Sequence, residues 1–237
     1  MTVGWRVDER VGDAASLHAR WPATESRPDE RAVAVCRPEG PAVVLGSTQP
    51  VATVDGHRAD AAGVAVVRRR SGGGAVLVTP GDPAWIDAWV PAGDPLWHRD
   101  VGRAFDWLGD VWVEALRRVG IDGVAAHRHA PVSCTRWSSL ACFGGIGSGE
   151  VVTDDGRKVV GLAQRRIRQG AWFHGACIIR WDPRPLVELL DLAPQEREAA
   201  VADLSTAGAG VADLTGRRGA PVADVTGVTS AFLASLP

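Results

Sequence analysis

Four short apolar runs follow one another between Pro41 and Val90, with little room between them for crossover helices. Pro41-Ala-Val-Val-Leu-Gly46 reads as a buried strand ended by glycine. Gly63-Val-Ala-Val-Val-Arg68, Ala75-Val-Leu-Val78 and Trp85-Ile-Asp-Ala-Trp-Val90 repeat the pattern. Parallel neighbours need a crossover of a dozen or more residues, so this spacing predicts an antiparallel or mixed sheet.

The remaining pattern adds helices and one hairpin. Val101, Phe105, Leu108, Trp112, Ala115 and Val119 form one apolar face, which predicts a helix from Asp100 to Val119. Asp100 suits its N-cap and Gly120 its C′ position. A short helix is expected near Asp13–Arg20. Asp155-Gly156 lies between Glu150-Val-Val-Thr153 and Arg157-Lys-Val-Val160, a strong hairpin signal. Trp172–Ile179 is the last expected strand. From Trp181 the pattern turns helical: Asp182-Pro183 opens the first stretch, and Val201–Leu204 and Val222–Leu236 supply others. The expected class is α+β, with a mixed, largely antiparallel sheet flanked by helices, and no interdomain linker or internal repeat.

The chain has 237 residues, 26 basic and 28 acidic, for a formal charge of −2. Without clustered positive charge, nucleic acid and anionic membrane are excluded as partners. Ten tryptophans fall mostly at core spacing, which argues against an aromatic platform for nucleic acid. No apolar run approaches the roughly 18 residues that span a bilayer, and the acidic N-terminus lacks an apolar signal core. Cys36, Cys134, Cys142 and Cys177 form no C-x-x-C pair and read as reduced thiols. A cytoplasmic protein is expected. His127 and His129 with Cys134 and Cys142 match no standard zinc spacing, so no metal site is assigned.

One lysine, Lys158, stands beside 25 arginines. Arginine-rich, tyrosine-free composition is what GC-rich coding produces, so the exception is informative. A compact ammonium with three donors does what a planar guanidinium cannot. Lys158 begins the second hairpin strand, where Lys158, Val160, Leu162 and Gln164 are expected to share a face and Gly161 thins the sheet. Taken alone, such a lysine is more often a solvated surface residue.

A second segment carries chemistry. Arg68-Arg-Arg-Ser71-Gly72-Gly73-Gly74-Ala75-Val76 joins two strands, and its glycines let backbone N–H groups approach a ligand. It is neither a P-loop nor a dinucleotide fingerprint, because no Gly-Lys-Ser/Thr and no helix follows.

Gly46-Ser-Thr-Gln49, the Arg68–Val76 run, Gly156-Arg-Lys-Val-Val-Gly-Leu-Ala-Gln-Arg165 and His174-Gly175 together resemble the biotin/lipoate protein ligase and octanoyltransferase superfamily, from about Pro41 to about Arg180. The resemblance implies a class II aminoacyl-tRNA synthetase-like catalytic domain over residues 1–180, with 181–237 as a helical segment packed on it. The accessory C-terminal domain of longer ligases is too large to fit after Arg180. It implies a lipoate-protein ligase that uses ATP and Mg²⁺ to form an acyl-adenylate. The acyl group, lipoate or octanoate, then passes to the lysine of lipoyl domains of 2-oxoacid dehydrogenases or of the glycine cleavage carrier protein. Lys158 would contact acyl carbonyl and phosphate, stabilising charge in both transition states. Arg68, Ser71, Gly72, Gly73, Gly74 and Ala75 would lie along the acyl-adenylate. Gly161, Ala163, His174 and Gly175 would shape the slot, and Val76, Val160 and Leu162 would help line an apolar tunnel.

The sequence also departs from the family pattern. Val78-Thr-Pro-Gly-Asp82 stands where ligases carry His-Asp-x-Gly-Asn, Gly12-Asp-Ala-Ala-Ser16 replaces Asn-Leu-Ala-x-Glu, and Val160 and Leu162 replace serines. These changes bear on metal and nucleotide handling. Ala141-Cys142-Phe143 also resembles the Cys-Phe pair of one octanoyltransferase branch, in which the cysteine carries the acyl group as a thioester. On that alternative Cys142, sixteen residues before Lys158, is the nucleophile, a nearby ammonium favours its thiolate, the donor is acyl carrier protein and no cofactor is needed. A buried structural cysteine is the commoner meaning of such a residue. A non-catalytic lipoyl-domain binder and a biotin ligase are further alternatives on the same fold.

Overall fold

The computed structural model describes residues 4–20, 29–128, 131–215 and 223–237. In chain order its strands are β1 (Arg6–Gly12), β2 (Ala32–Pro38), β3 (Ala42–Leu45), β4 (Ala65–Arg68), β5 (Val76–Val78), β6 (Ala84–Pro91), β7 (Val124–Ala126), β8 (Ser133–Cys134), β9 (Gly145–Ile146), β10 (Val151–Thr153), β11 (Lys158–Ile167) and β12 (Gly170–Cys177). The helices are α1 (Ala14–Ala19), α2 (Gly56–Ala61), α3 (Asp106–Arg118), α4 (Arg184–Leu189), α5 (Pro194–Ser205), α6 (Val211–Thr215) and α7 (Val225–Leu233).

Seven strands form the main sheet in the order β1-β2-β6-β12-β11-β10-β7, and β4-β3-β5 form a smaller one. All neighbours in the main sheet are antiparallel except β1 and β2; in the small sheet β3 runs parallel to β4. The α+β class with a mixed, largely antiparallel sheet is therefore the observed one. Each parallel pair is bridged by a short helix, α1 and α2, whose N-caps Asp13 and Asp55 accept from the amides of Ser16 and Arg58.

The four runs between Pro41 and Val90 become β3, β4, β5 and β6. β1 and β2 were not expected. β1 alternates charged residues along an exposed edge, and the Ala-Val-Ala-Val-Cys run of β2 sits in a segment dominated by Pro, Glu and Arg. The 155–156 turn joins β10 to β11 as expected.

The apolar stripe of α3 seats Leu108, Trp112, Ala115 and Leu116 on the main sheet. The helix starts later than its spacing predicts. Asp100 instead accepts from the Arg103 amide at the head of a 3₁₀ turn, Arg103–Phe105, whose N-cap is Gly102, and Val101 is exposed. Gly120, at φ +85°, ends it. Phe232 of α7 packs against Trp112 with ring centroids 4.5 Å apart. α4 and α5 cover the small sheet through Val187, Leu189 and Leu204. Val222 lies outside the described residues.

We propose that residues after Arg180 belong to the same cooperative unit as the sheet. Phe232→Ala should then lower unfolding free energy by about 3–5 kcal/mol, the usual cost of emptying a buried phenylalanine site. Urea unfolding should keep a single transition; loss of α7 alone, with the remaining transition unmoved, would contradict this.

Candidate active site

Close backbone approach fixes the loop between β4 and β5. A Cβ on Gly46 would fall 1.9 Å from the carbonyl oxygen of Gly73, and one on Gly74 would fall 2.5 Å from the Ala141 backbone. With no side chain in the way, Ala75 donates to Leu140 O and the Cys142 amide donates to Ala75 O. This zips the glycine loop to the segment that presents Cys142. The Arg69 guanidinium, 5% exposed, closes the loop from inside by donating to the carbonyls of Val44, Gly72 and Gly74. Arg68 instead points outward, 3.4 Å from Ser47 O. Ser71 is buried, while Gly72 and Gly73 are exposed at the loop tip.

Lys158 is 2% exposed. A register shift between β10 and β11 falls beside it, breaking the alternation expected for Lys158, Val160 and Leu162. Val160 turns into the main core, whereas the Lys158 Cε lies 3.3 Å from where a Cβ on Gly161 would stand. Its ammonium donates to Cys142 O at 2.7 Å and to Gly145 O at 3.1 Å, and pairs with Glu150 Oε2 at 2.7 Å. Three donors meet three acceptors. The Cys142 Sγ is 3.8 Å away, and the Phe143 ring lies 5.0 Å beneath, stacked on Trp181. Glu150 also accepts from the amides of Gly147 and Leu162. Burial works against the ammonium, but Cys142 and Glu150 outweigh it and hold the Lys158 pKa above the ordinary lysine value. The backbone of Lys158 is pinned by Ala207 O and the Ala209 amide, so the segment after Arg180 helps to place it.

Two chambers meet at this point. An open cleft of about 890 Å³ is lined by Gly72–Gly74, Gly145, Glu150 and Lys158. An apolar pocket runs between the sheets, lined by Val44, Val76, Val78, Trp85 and Leu162. Arg69, Cys142, Leu162 and Ala163 border both. Of the three expected tunnel residues, Val76 and Leu162 line the pocket and Val160 does not. The Cys142 Sγ sits 3.1 Å from the position of a Cβ on Gly161, so glycine leaves room beside the sulfur. Gly175 makes space for the Trp112 indole.

Among the residues lining the apolar pocket, His174 has its Nδ1 2.8 Å from Asp87 Oδ1, which also accepts from Trp85 Nε1 at 2.7 Å. His18 of α1 stacks on Trp85 at 4.4 Å and meets His174 edge-on at 5.3 Å. Burial opposes ionisation of Asp87, yet His174, His18 and the Trp85 N–H together hold its pKa below the usual carboxylate value. Burial, aided by the charges of His174 and Arg69 and opposed by Asp87, lowers the His18 pKa to about 3.

The sequence thus yields Lys158, Cys142, the glycines, Ala163 and His174 around one cavity. It misses Glu150, Arg69, His18 and Asp87. Asp87 had a signal, a lone acid inside an otherwise apolar strand. So did His18, which follows Ala14 and Leu17 on the buried face of α1. His127 bonds to Pro131 O, and His129 lies outside the described residues. Among the described residues no cluster of three or more His, Cys, Asp or Glu is placed to hold a metal. Glu150, the one carboxylate lining the cleft among the described residues, is already engaged, so this donor set does not make a magnesium site.

Residues 18–235 match the family model of the lipoyl protein ligase A/B catalytic domain. The chain belongs to that family. Among solved structures, a bi-partite lipoate protein ligase from Thermoplasma acidophilum, described with its E2 lipoyl domain, shares 19% identity at a TM-score of 0.70, over 97% of this chain and 82% of that one. A Thermoplasma acidophilum protein with bound lipoic acid and a lipoate-protein ligase A bound with ATP each share 20% identity at a TM-score of 0.70, over 99% of this chain and 84% of theirs. A biotin protein ligase from Leishmania major shares 8% identity at a TM-score of 0.55, over 98% and 72%. These likenesses fix the biotin/lipoate ligase fold. The family match reaches beyond the Pro41–Arg180 stretch that carries the motifs and takes in the helices after it. Among the described residues, no helix is long and apolar enough to cross a membrane.

The buried His18 makes stability depend on pH. Folded, it stays neutral down to about pH 3; unfolded, it takes up a proton near its ordinary value of 6.5. Below 6.5 the unfolded state therefore holds the extra proton, and stability falls with pH by up to about 1.4 kcal/mol per unit. Urea unfolding at pH 7 and pH 5 should show this loss in the wild type and a smaller one in His18→Phe. Equal losses in both would contradict it.

Proposed function

We propose that the chain is a lipoate-protein ligase, which places a lipoyl or octanoyl group on the lysine of a lipoyl domain. One observation carries this reading: a buried ammonium, Lys158, stands where an apolar pocket opens into a glycine-lined cleft. An acyl chain in the pocket would present its carboxyl group beside Lys158. The family match supports the acyl chemistry, and the relatives with lipoic acid, ATP and an E2 lipoyl domain support substrate, co-substrate and acceptor. The acceptors proposed are lipoyl domains of 2-oxoacid dehydrogenases or of the glycine cleavage carrier protein. A cytoplasmic location is part of the same proposal.

In the first step the acyl carboxylate attacks the α-phosphorus of ATP and pyrophosphate leaves. In the second the acceptor amine attacks the acyl carbonyl and AMP leaves. Both steps build negative charge on oxygen beside the ammonium. Lys158 can turn one N–H from a neutral carbonyl, Cys142 O or Gly145 O, toward that charged oxygen while Glu150 holds the rest of the group in place. The open glycine tip offers amides to phosphate: a Cβ on Gly72 would meet nothing within 4 Å. Because the cleft's donor set does not fit magnesium, no step is assigned to that ion.

A second reading rests on the 3.8 Å between Cys142 Sγ and Lys158 Nζ. The sulfur borders both chambers, so it can attack the thioester carbonyl of an acyl carrier protein, whose thiol leaves with the cysteine proton. The acceptor amine then displaces Cys142.

Intact mass of apo lipoyl domain, incubated with each donor, separates the two. The ligase reading expects transfer from lipoate or octanoate only with ATP, at least a roughly 100-fold loss in Lys158→Arg, and retention in Cys142→Ala. The second reading expects ATP-independent transfer from octanoyl carrier protein, an acyl adduct on Cys142, and loss in Cys142→Ala. Stable association with the lipoyl domain but no transfer from either donor contradicts both.

A further inference from the structure

We propose that His18 and His174, the latter held by Asp87, form a hydrogen-bonding subsite of the apolar pocket for an acyl chain that carries a hydroxyl or thiol at its far end. This rests on the acyl-pocket reading above and names the class of chain that the pocket takes. The sheet register lays out the path. Gly161, Ala176 and Trp85 lie in one cross-strand row, and Ala163, His174 and Asp87 in the next, all on the face that looks toward the small sheet. Glycine and alanine keep the groove open beside Cys142. Trp85 and His174 line it up to two strands further on, within roughly 10 Å. His18 descends from α1 onto both rings.

The walls between are apolar, so a plain alkyl chain would need nothing polar here. Yet two buried atoms of pocket-lining side chains have no partner, His18 Nδ1 and His174 Nε2. His18 and His174 both line the pocket, at 8% and 7% exposure. Leaving such atoms unsatisfied is costly, and a ligand that satisfies one recovers that cost. Their chemistry also selects the ligand group. Asp87 keeps a proton of His174 on Nδ1, so Nε2 is left facing the pocket as an acceptor in the neutral ring and a donor in the imidazolium, and a hydroxyl can answer either. His18, neutral by burial, offers no charge to hold a carboxylate. An O–H or S–H can pair with these ring nitrogens; a methyl terminus pairs with none of them. The pair is not placed to act on the reacting carbonyl, because the open cleft around Lys158 is lined by neither His18 nor His174.

Calorimetric titration of the full chain with octanoic, 8-hydroxyoctanoic and 8-mercaptooctanoic acids tests this. At least one of the substituted acids should bind about tenfold more tightly than octanoic acid, the worth of one hydrogen bond to an otherwise unsatisfied group. Preference for the hydroxy acid identifies an oxygen ligand, and preference for the mercapto acid a sulfur one. His174→Phe should erase the preference; if that variant does not fold, His18→Phe should reduce it. Octanoic acid binding as well as or better than both substituted acids would overturn the polar subsite and leave the acyl pocket standing. No binding of any of the three would overturn the pocket reading and this one with it.

Discussion

A full positive charge buried at the edge of an apolar pocket is the constraint on which the rest of this structure depends. An ammonium taken out of water is tolerated only when its charge and its three hydrogens are matched. Glu150 supplies the charge, and the carbonyls of Cys142 and Gly145 supply the remaining acceptors. Each supplier must itself be held. Glu150 is fixed by the amides of Gly147 and Leu162, Cys142 by Ala75, and the Lys158 backbone by Ala207 and Ala209. The glycine loop, the hairpin and the segment after Arg180 are thus tied to one another through a single side chain. A guanidinium could not replace it, since its planar fork does not converge on three acceptors around one nitrogen.

Much of this was legible in the sequence where local chemistry decides the outcome. Asp155-Gly156 announced the hairpin that carries Lys158, and the short spacing of the runs between Pro41 and Val90 announced a mixed sheet, although the parallel step from β3 to β4 does have its crossover, through α2. What stayed hidden depends on long-range geometry. Glu150 became the partner of Lys158 only once β10 and β11 paired with a register shift, and that shift also broke the expected sharing of one face by Lys158 and Val160. Arg69 rather than Arg68 faces the chambers because β4 ends at Arg68 and the chain then turns inward, a one-residue phase that composition cannot fix. His18 and Asp87 come together across 69 residues of chain, although each alone broke an apolar pattern.

The departures from the ligase motifs acquire a physical meaning from the same frame. Asp82, in the loop where ligases carry His-Asp-x-Gly-Asn, accepts the amides of Ile179 and Arg180 and so anchors the end of β12. Asp13 caps α1, and that helix brings His18 over the pocket. Polar groups at these positions serve the fold and the lining of the apolar pocket, while the lysine, the glycine loop and the cysteine remain where pocket and cleft meet.

Because Lys158 is the only lysine, its side chain can be observed alone. Protein prepared without a tag from ¹³Cε-labelled lysine should give one lysine resonance, followed from neutral pH to the alkaline limit of the folded state. A charge held by Glu150 keeps that resonance in its ammonium position beyond the ordinary lysine pKa of 10.5, and Glu150→Gln moves the transition to lower pH. A lysine that loses its proton below that value, with the same midpoint in wild type and Glu150→Gln, would contradict the account.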